Sequence, residues 1–354
     1  MSALKISIGA DPELFVRNIK TGEFVSAHNL MPGTKTEPHK VERGAIQVDG
    51  VAAEFNIDPA LNAVGFTANI QVVMGQLQGF VGKDYELVTN PAVTFKEDYF
   101  KSLPEVTREL GCNPDFNAWT GQVNEKPDGD VTTMRTAAGH IHIGWLPDGK
   151  FVDPTDSTHF DDCRVIARNL DYYLGMYSLQ WDEDTDRRKL YGKAGSFRPK
   201  PYGVEYRPLS NVWLRSPQLQ QWVFNAAFYG THNLITTGTR LEDTFGELAR
   251  RFIDNSESWW RPEDASKSAD HRRLQKLNNY TGLSNPPPLP KPVTKEEAKT
   301  VQKPKAKFIY GGSETGRLNK EKMQSELYKA IGNLQPSTIT TGATSSHWSW
   351  MNEN

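Results

Sequence analysis

The chain has 354 residues, with 41 Lys+Arg against 43 Asp+Glu, so its formal charge is only −2. That balance excludes a general nucleic-acid coat, which needs a basic excess to displace the counterions of phosphate. Apolar residues make up 37 % and aromatics 10 %, enough for a sizeable core in one large domain or two ordinary ones. No run approaches the roughly 18 apolar residues of a membrane span, and the N-terminus has no basic stretch leading into an apolar one. Cys112 and Cys163 alone cannot build a disulfide framework or a zinc cluster, and two such cysteines suit a reducing cytoplasm.

In chain order, Lys5–Ile8 and Glu13–Arg17 read as one early strand interrupted by Gly9-Ala10-Asp11-Pro12. Ile46–Ile57 reads as a second, bent at Gly50, and Ala63–Leu77 as a helix. Ala138–Trp145 and Gly203–Leu209 are further strands, while Asp161–Tyr177 and Ser216–Leu234 are helices. Strands separated by long helical and irregular inserts predict an α+β layer fold over residues 1–283, with no internal repeat. At Ser284 the composition changes. Asn285-Pro286-Pro287-Pro288-Leu289-Pro290-Lys291-Pro292 cannot sustain a helix or a central strand and opens a Pro/Lys-rich linker over 284–307. Residues 308–354 form a tail, with Met323, Leu327, Ile331 and Leu334 at helical spacing and a loose Ser/Thr-rich end. Residues 291–354 hold 10 basic and six acidic side chains, a net of +4, which leaves −6 on the body. The tail is expected to be a flexible appendage or a docking arm for a protein partner.

Four polar clusters fall where core strands should be apolar. In Asp11-Pro12-Glu13 the two carboxylates are two residues apart, so extended backbone turns both to one face, where they repel unless a cation or proton lies between them. Asp49 and Glu54 interrupt an apolar run at a spacing of five, which puts them on opposite faces of a regular strand. Gly50 permits a bulge that would reunite them, and Asp49-Gly50 is equally a hairpin-turn signal. In Gly139-His140-Ile141-His142-Ile143-Gly144 the histidines share one face and the isoleucines the other. Residues 192–211 carry Lys193, Arg198 and Lys200 in a Gly-rich context ahead of the alternating Glu205 and Arg207. Each cluster alone has a bland reading as a strand end, turn, satisfied core histidine or surface ion pair. Together they assemble hard oxygen ligands suited to Mg²⁺ or Mn²⁺ and fixed cations suited to phosphate, which points to metal-dependent phosphoryl transfer from ATP. No P-loop or dinucleotide fingerprint is present.

The order of Asp11-Pro12-Glu13-Leu14-Phe15, Gly139-His140-Ile141-His142, and Gly-Lys193-Ala-Gly-Ser-Phe-Arg198 leading into Tyr-Gly-Val-Glu205-Tyr-Arg207-Pro-Leu-Ser-Asn resembles the glutamine synthetase and glutamate–cysteine ligase superfamily. It looks most like the phage-encoded carboxylate–amine (COOH.NH2) ligases of type 2, over roughly residues 4–250. The resemblance implies a curved antiparallel sheet backed by helices. It also implies an ATP- and Mg²⁺-dependent (or Mn²⁺-dependent) ligase holding two or three ions, which activates a carboxylate as an acyl phosphate and joins it to an amine.

By position, Asp11, Glu13, Asp49, Glu54, His140 and Glu205 match metal ligands, with Glu54 also counted as catalytic. His142 matches a histidine at the nucleotide phosphates, and Arg207 matches the catalytic arginine that holds the substrate carboxylate or its acyl phosphate. Lys193 and Arg198 stand where two phosphate-binding arginines are expected. Lys193 keeps the charge but loses the fork, so Arg188 just upstream is the candidate for the missing guanidinium. No segment resembles an ammonia site, so the expected substrates are a small-molecule or peptide acid and an amine other than ammonia, with no nucleic-acid or membrane partner. The expected location is the cytoplasm, that of the host if the gene is phage-borne. Two other readings share the motifs: a phosphotransferase to a nitrogen acceptor, and a non-catalytic interaction protein on a degenerate ligase scaffold.

Overall fold

The computed structural model describes residues 4–108, 115–125, 132–146, 150–257 and 270–288. Twelve strands fall within them: β1 (Ser7–Asn18), β2 (Phe24–Val25), β3 (His39–Val41), β4 (Gly44–Asp49), β5 (Ala52–Ile57), β6 (Tyr85–Val88), β7 (Ala92–Thr94), β8 (Phe116–Asn117), β9 (Met134–Thr136), β10 (Gly139–Gly144), β11 (Ser196–Lys200) and β12 (Gly203–Tyr206). Ten of these form one sheet in the order β3-β4-β5-β1-β10-β12-β11-β8, with β2 and β6 also pairing β1; β7 and β9 pair separately. Every pairing is antiparallel. The architecture is α+β, a large antiparallel sheet backed by helices, as the resemblance implied.

Alternation decides which face is core. Ile8, Ala10, Leu14 and Val16 of β1, Ile141 and Ile143 of β10, and Val204 and Tyr206 of β12 are all buried in one apolar cluster. The helix Ala63–Val81 packs on β4 and β5, Ser157–Leu170 packs on β11 and β12, and Pro217–Thr237 lies against both helices. Their ends follow from local chemistry. Asn62 accepts from Gly65 N at 2.8 Å, Asp156 from His159 N at 2.9 Å, and Ser216 from Leu219 N at 3.1 Å ahead of Pro217 at the first helical position. The other face of the sheet carries Asp11 and Glu13 of β1 and His140 and His142 of β10, while Phe15 on the same side of β1 packs into a small second core with Val51, Val93, Phe95 and Phe100.

Three expectations change. The early strand is not interrupted: β1 runs through Pro12, which closes the register with β10 opposite Gly139, at a ladder end where a residue without an N–H disrupts least. The segment Ile46–Ile57 is not one bent strand but a tight hairpin, with Gly50 at φ +55° between β4 and β5. The helix expected over Asp161–Tyr177 passes into a single π turn at Asp171–Gly175. There the buried Asp171 accepts from Tyr206 Oη at 2.7 Å and Trp119 Nε1 at 2.6 Å, tying the helix to β12. Burial pushes its carboxyl up to about 7. Cys163 is buried under the same region and its thiol is also pushed up by burial. Cys112, the linker from residue 289 onward and the tail helix at 320–334 lie outside the described residues. Among the described residues, no helix is long and apolar enough to cross a membrane.

Gly139 shows how tightly the helical layer and the sheet meet. A Cβ there would stand 2.4 Å from Ser210 O and 2.4 Å from Trp213 Nε1, the indole that donates to Gly139 O at 3.0 Å. Backbone and an aromatic ring cannot yield cheaply, so Gly139→Ala is expected to cost about 1–3 kcal/mol. The check is a lower denaturant midpoint at unchanged m-value.

Candidate active site

Register alone brings the four sequence clusters onto one face. Residues directly opposite on antiparallel strands share a face, and the pairs are Asp11 with His140, His142 with Glu205, Glu205 with Arg198, Glu13 with Glu54, and Glu54 with Gln47. The hairpin also settles how Asp49 and Glu54 come together. Asp49 pairs with Ala52, two residues from Glu54, so the turn itself puts both carboxylates on the site face without a bulge.

At the β10–β12 end, Glu205 is completely buried. Lys200 Nζ lies 3.0 Å and Arg198 Nη1 3.4 Å from its Oε2, and Arg207 Nη1 bonds its Oε1. Burial alone would raise its pKa, but Arg207, Lys200 and Arg198 overcome that and hold it well below the usual carboxylate range. His140 Nδ1 stands 3.3 Å from Glu205 and 3.5 Å from Asp11. Burial and the Arg207 charge push His140 down to about 4, so the imidazole is neutral near pH 7. His142 Nε2 lies 3.0 Å from Asp11 Oδ1, and its Nδ1 bonds Tyr202 Oη. Burial acts against the Asp11 charge, yet the neighbouring histidines keep its carboxyl below its ordinary value, His142 first. Arg207 Nε donates to Asp115 Oδ2 at 2.8 Å, so its guanidinium is clamped between two carboxylates.

At the β1–β5 end the balance reverses. Ala138 N donates to Glu13 Oε2 at 2.8 Å, Gln47 Nε2 donates to Glu54 Oε2 at 2.8 Å, and Lys35 pairs with Asp49 at 2.7 Å. Burial and the Asp49 charge push Glu13 up to about 7, and burial with Asp49, Asp11 and Glu13 raises Glu54 well above the usual range. Asp49 is raised as well, chiefly by burial. Three carboxylates thus crowd a low-dielectric corner, where Lys35 pairs with Asp49 and the Arg187 and Arg207 charges also act on Glu13 and Asp49.

These donors fit divalent ions. One ligand atom each from Asp11, His142 and Glu205 lies within 4.8 Å of the others. Glu13, Asp49 and Glu54 form an oxygen-rich set whose mutual repulsion a divalent cation would relieve. Lys200, Arg198 and Arg207 crowd Glu205 from the remaining sides, where they could meet phosphate oxygens.

Of the sequence candidates, Asp11, Glu13, Asp49, Glu54, His140, His142, Arg198, Glu205 and Arg207 are brought together. Two are not. Lys193 is exposed at the rim of its loop. Arg188 turns away, bonding Ser256 Oγ at 2.8 Å and the Asp182 carbonyl, with the Asp182 carboxylate 3.6 Å off. Its neighbour Arg187 faces the cleft instead, together with Glu13, Asp49, Asp115, Arg135 and Arg207. Sequence reasoning missed Lys35, Asp115, Arg187 and Tyr202. Lys35 and Asp115 have no signal beyond ordinary loop polarity, whereas the Arg187-Arg188 pair was readable and only the choice between its members was open.

Residues 136–280 match the model of the family described as phage phiEco32-like COOH.NH2 ligase-type 2. That match bears out the resemblance drawn from the motifs and supports a carboxylate–amine ligase in general terms. Among solved structures, the chain is similar to a bifunctional glutathione synthetase from Pasteurella multocida, with 11 % identity and a TM-score of 0.43 over 79 % of this chain. It spans 45 % of that chain's length. No curated protein matches.

The raised carboxyls make a signed prediction. Glu13 binds its proton more tightly folded, at about 7, than at its ordinary 4.5, so the folded state loses stability as pH rises from 4.5 to 7 and the loss is complete above that window. In metal-free buffer the thermal midpoint of Glu13→Gln should therefore fall less than that of the wild type between pH 4.5 and 7, His140, held down at about 4, contributing the opposite slope in both proteins, and Mg²⁺ or Mn²⁺ should narrow the difference. The same pH dependence in the variant and the wild type would contradict the shift assigned to Glu13.

Proposed function

We propose that the protein is an ATP- and Mg²⁺-dependent ligase that activates a carboxylate as an acyl phosphate and joins it to an amine, forming an amide or peptide bond. The observation that carries this reading is the sorting of charge along one sheet face. A carboxylate-rich corner at Glu13, Asp49 and Glu54 adjoins the Asp11–His142–Glu205 cluster, and Lys200, Arg198 and Arg207 lie beyond it. A nucleoside triphosphate with its ions presents the complementary series, cation then polyanion. The family match over 136–280, which takes in β10, β11 and β12, supports the same reading.

A carboxylate resists attack by an amine because it is anionic and would have to expel oxide or hydroxide. Transfer of the γ-phosphoryl of ATP to a carboxylate oxygen breaks the bond to the bridging oxygen, releases ADP and leaves an acyl phosphate. The amine then attacks the acyl carbon, the C–O bond to phosphate breaks, and amide, phosphate and a proton are the products. Asp11, His142 and Glu205 would hold one divalent ion, and Glu13, Asp49 and Glu54 a second. His142 thus takes the ligand place expected of His140, which stands beside these residues, instead of meeting the phosphates. When bound, such ions neutralise phosphate charge as it shifts during transfer.

The chain's own cations do the rest. Arg198 and Lys200 would meet the phosphates, and Arg207, immobilised by Asp115 and Glu205, would present a pre-oriented fork to the carboxylate or acyl phosphate. Neutral His140 adds no positive charge to this corner. An enzyme drawing on ATP in this way would work in the cytoplasm, the host's if the gene is phage-borne.

The test is calorimetric titration with a non-hydrolysable ATP analogue, with and without Mg²⁺, followed by a screen of acid–amine pairs for ADP and amide. Metal-dependent binding is expected. Glu13→Gln should keep or raise the thermal midpoint, since it removes a repelled charge, while turnover falls by at least about 100-fold. Full turnover in that variant would overturn the assignment. ADP formed with a phosphorylated nitrogen acceptor would indicate a phosphotransferase instead, and absence of any nucleotide binding would indicate a non-catalytic scaffold.

A further inference from the structure

Asp171 is a carboxylate with no exposed surface, on the helical side of the sheet and behind the face that carries the site. Donors from three segments converge on it. Tyr206 Oη donates to its Oδ1 at 2.7 Å and Trp119 Nε1 to its Oδ2 at 2.6 Å, and the Gly195 N–H also favours its charged form. Close packing fixes these donors. A Cβ on Gly175 would stand 2.5 Å from Tyr206 Oη, and one on Gly195, at φ +66°, would stand 2.7 Å from Trp119 Cδ1. The carboxylate itself is placed by the π turn Asp171–Gly175, in which Met176 N bonds Asp171 O, a helical irregularity frequent at functional sites.

A buried carboxylate is a costly way to hold a core together, and burial pushes this one up to about 7. An apolar side chain would fill the space without that cost. What the carboxylate adds is direction, because each of its donors lies next to a member of the charged network on the far face. Tyr206 stands between Glu205 and Arg207, so its ring meets the helices while they take the site face. Gly195 immediately precedes β11, which carries Arg198 and Lys200, and Arg207 N bonds Ser196 O at 2.9 Å. Trp119 follows Asp115 across β8, and Ala118 N bonds Gly195 O at 2.8 Å. The segments that surround Arg207 are thus gathered at one point behind the sheet.

We propose that Asp171 is a positioning residue: from behind the sheet it sets the spacing of β8, β11 and β12, and so holds Arg207 against Asp115 and Glu205 and Arg198 against Glu205. Arg207 Nε reaches Asp115 Oδ2 at 2.8 Å only while these strands keep that spacing. That the network so positioned meets nucleotide phosphates rests on the ligase reading above.

The experiment is hydrogen exchange on the full chain for the wild type, Tyr206→Phe and Asp171→Asn, with the Arg207 Nε–H followed by heteronuclear NMR. Tyr206→Phe removes one hydroxyl, and Asp171→Asn offers one acceptor oxygen in place of two. In both variants the Arg207 Nε–H should exchange about tenfold or more faster, while backbone amides of β4 and β5 exchange as in the wild type. The non-hydrolysable ATP analogue with Mg²⁺ should bind about tenfold or more weakly to the same samples. If Asp171→Asn does not fold, Tyr206→Phe decides. Unchanged Arg207 Nε–H exchange or unchanged analogue affinity in a folded variant would overturn the proposal. So would equal acceleration in β4 and β5 or failure of both variants to fold, since Asp171 would then serve stability in general. Absence of analogue binding in the wild type, with Arg207 Nε–H exchange still faster in the variants, would count against the ligase reading while leaving the positioning role standing.

Discussion

Glu205 is a fully buried carboxylate in the middle of a ten-stranded sheet, and the placement of the site follows from what must surround it. Removing such a charge from water costs several kcal/mol even after relaxation, and only close opposite charges repay it. Three cations do so here. Lys200 and Arg198 reach it from β11, and Arg207 from just beyond β12. Because these partners sit on a tight antiparallel hairpin, their spacing is set by backbone geometry rather than by flexible side-chain reach. Arg207 in turn needs Asp115 on its other edge, which ties the residue just ahead of β8 into the same network. The network also limits what the site can tolerate, since deleting one member strands the others as buried, unmatched charges.

The opposite end of the face shows the complementary imbalance. Glu13 and Glu54 are paired across strands, with Asp49 on the same face; Lys35 pairs with Asp49, and the Arg187 and Arg207 charges offset the rest only in part, since all three carboxyls stay raised. Such an arrangement lowers stability in the absence of a cation, and it is tolerable because the fold is carried elsewhere. The apolar residues of the other sheet face pack continuously against the three long helices. The core bears the cost, and the polar face is free to be arranged for chemistry. Asp171 links the two layers, binding Tyr206, the core-facing residue between Glu205 and Arg207, to the helix behind.

Much of this is readable in residue order. Period-2 alternation in Gly139-His140-Ile141-His142-Ile143-Gly144 sends histidines one way and isoleucines the other whatever the fold around them. Asp11 and Glu13 share a face for the same reason, and so do Glu205 and Arg207. What residue order leaves open is the pairing. Asp49 and Glu54 were ambiguous because a spacing of five reads differently in one strand and in a hairpin, and the register of β4 with β5 resolves it. Arg187 and Arg188 are adjacent in a short helix, so a rotation of about 100° separates the one that faces the cleft from the one that binds Asp182 and Ser256.

The sequence by itself determined the local terms: which residues alternate, where helices are capped, which segments carry charge against the pattern, and the family those motifs resemble. The tertiary structure alone decided the long-range ones. Lys35, Asp115 and Arg187 enter the site from loops and a short helix that carry no periodic signal. The sign of each carboxyl shift, down at Glu205 and up at Glu13 and Glu54, depends on which charges the register places within a few ångströms in a medium without water. Local preferences act between neighbours in the chain, whereas electrostatic energies act between neighbours in space, and only the folded sheet makes Asp115 a neighbour of Arg207.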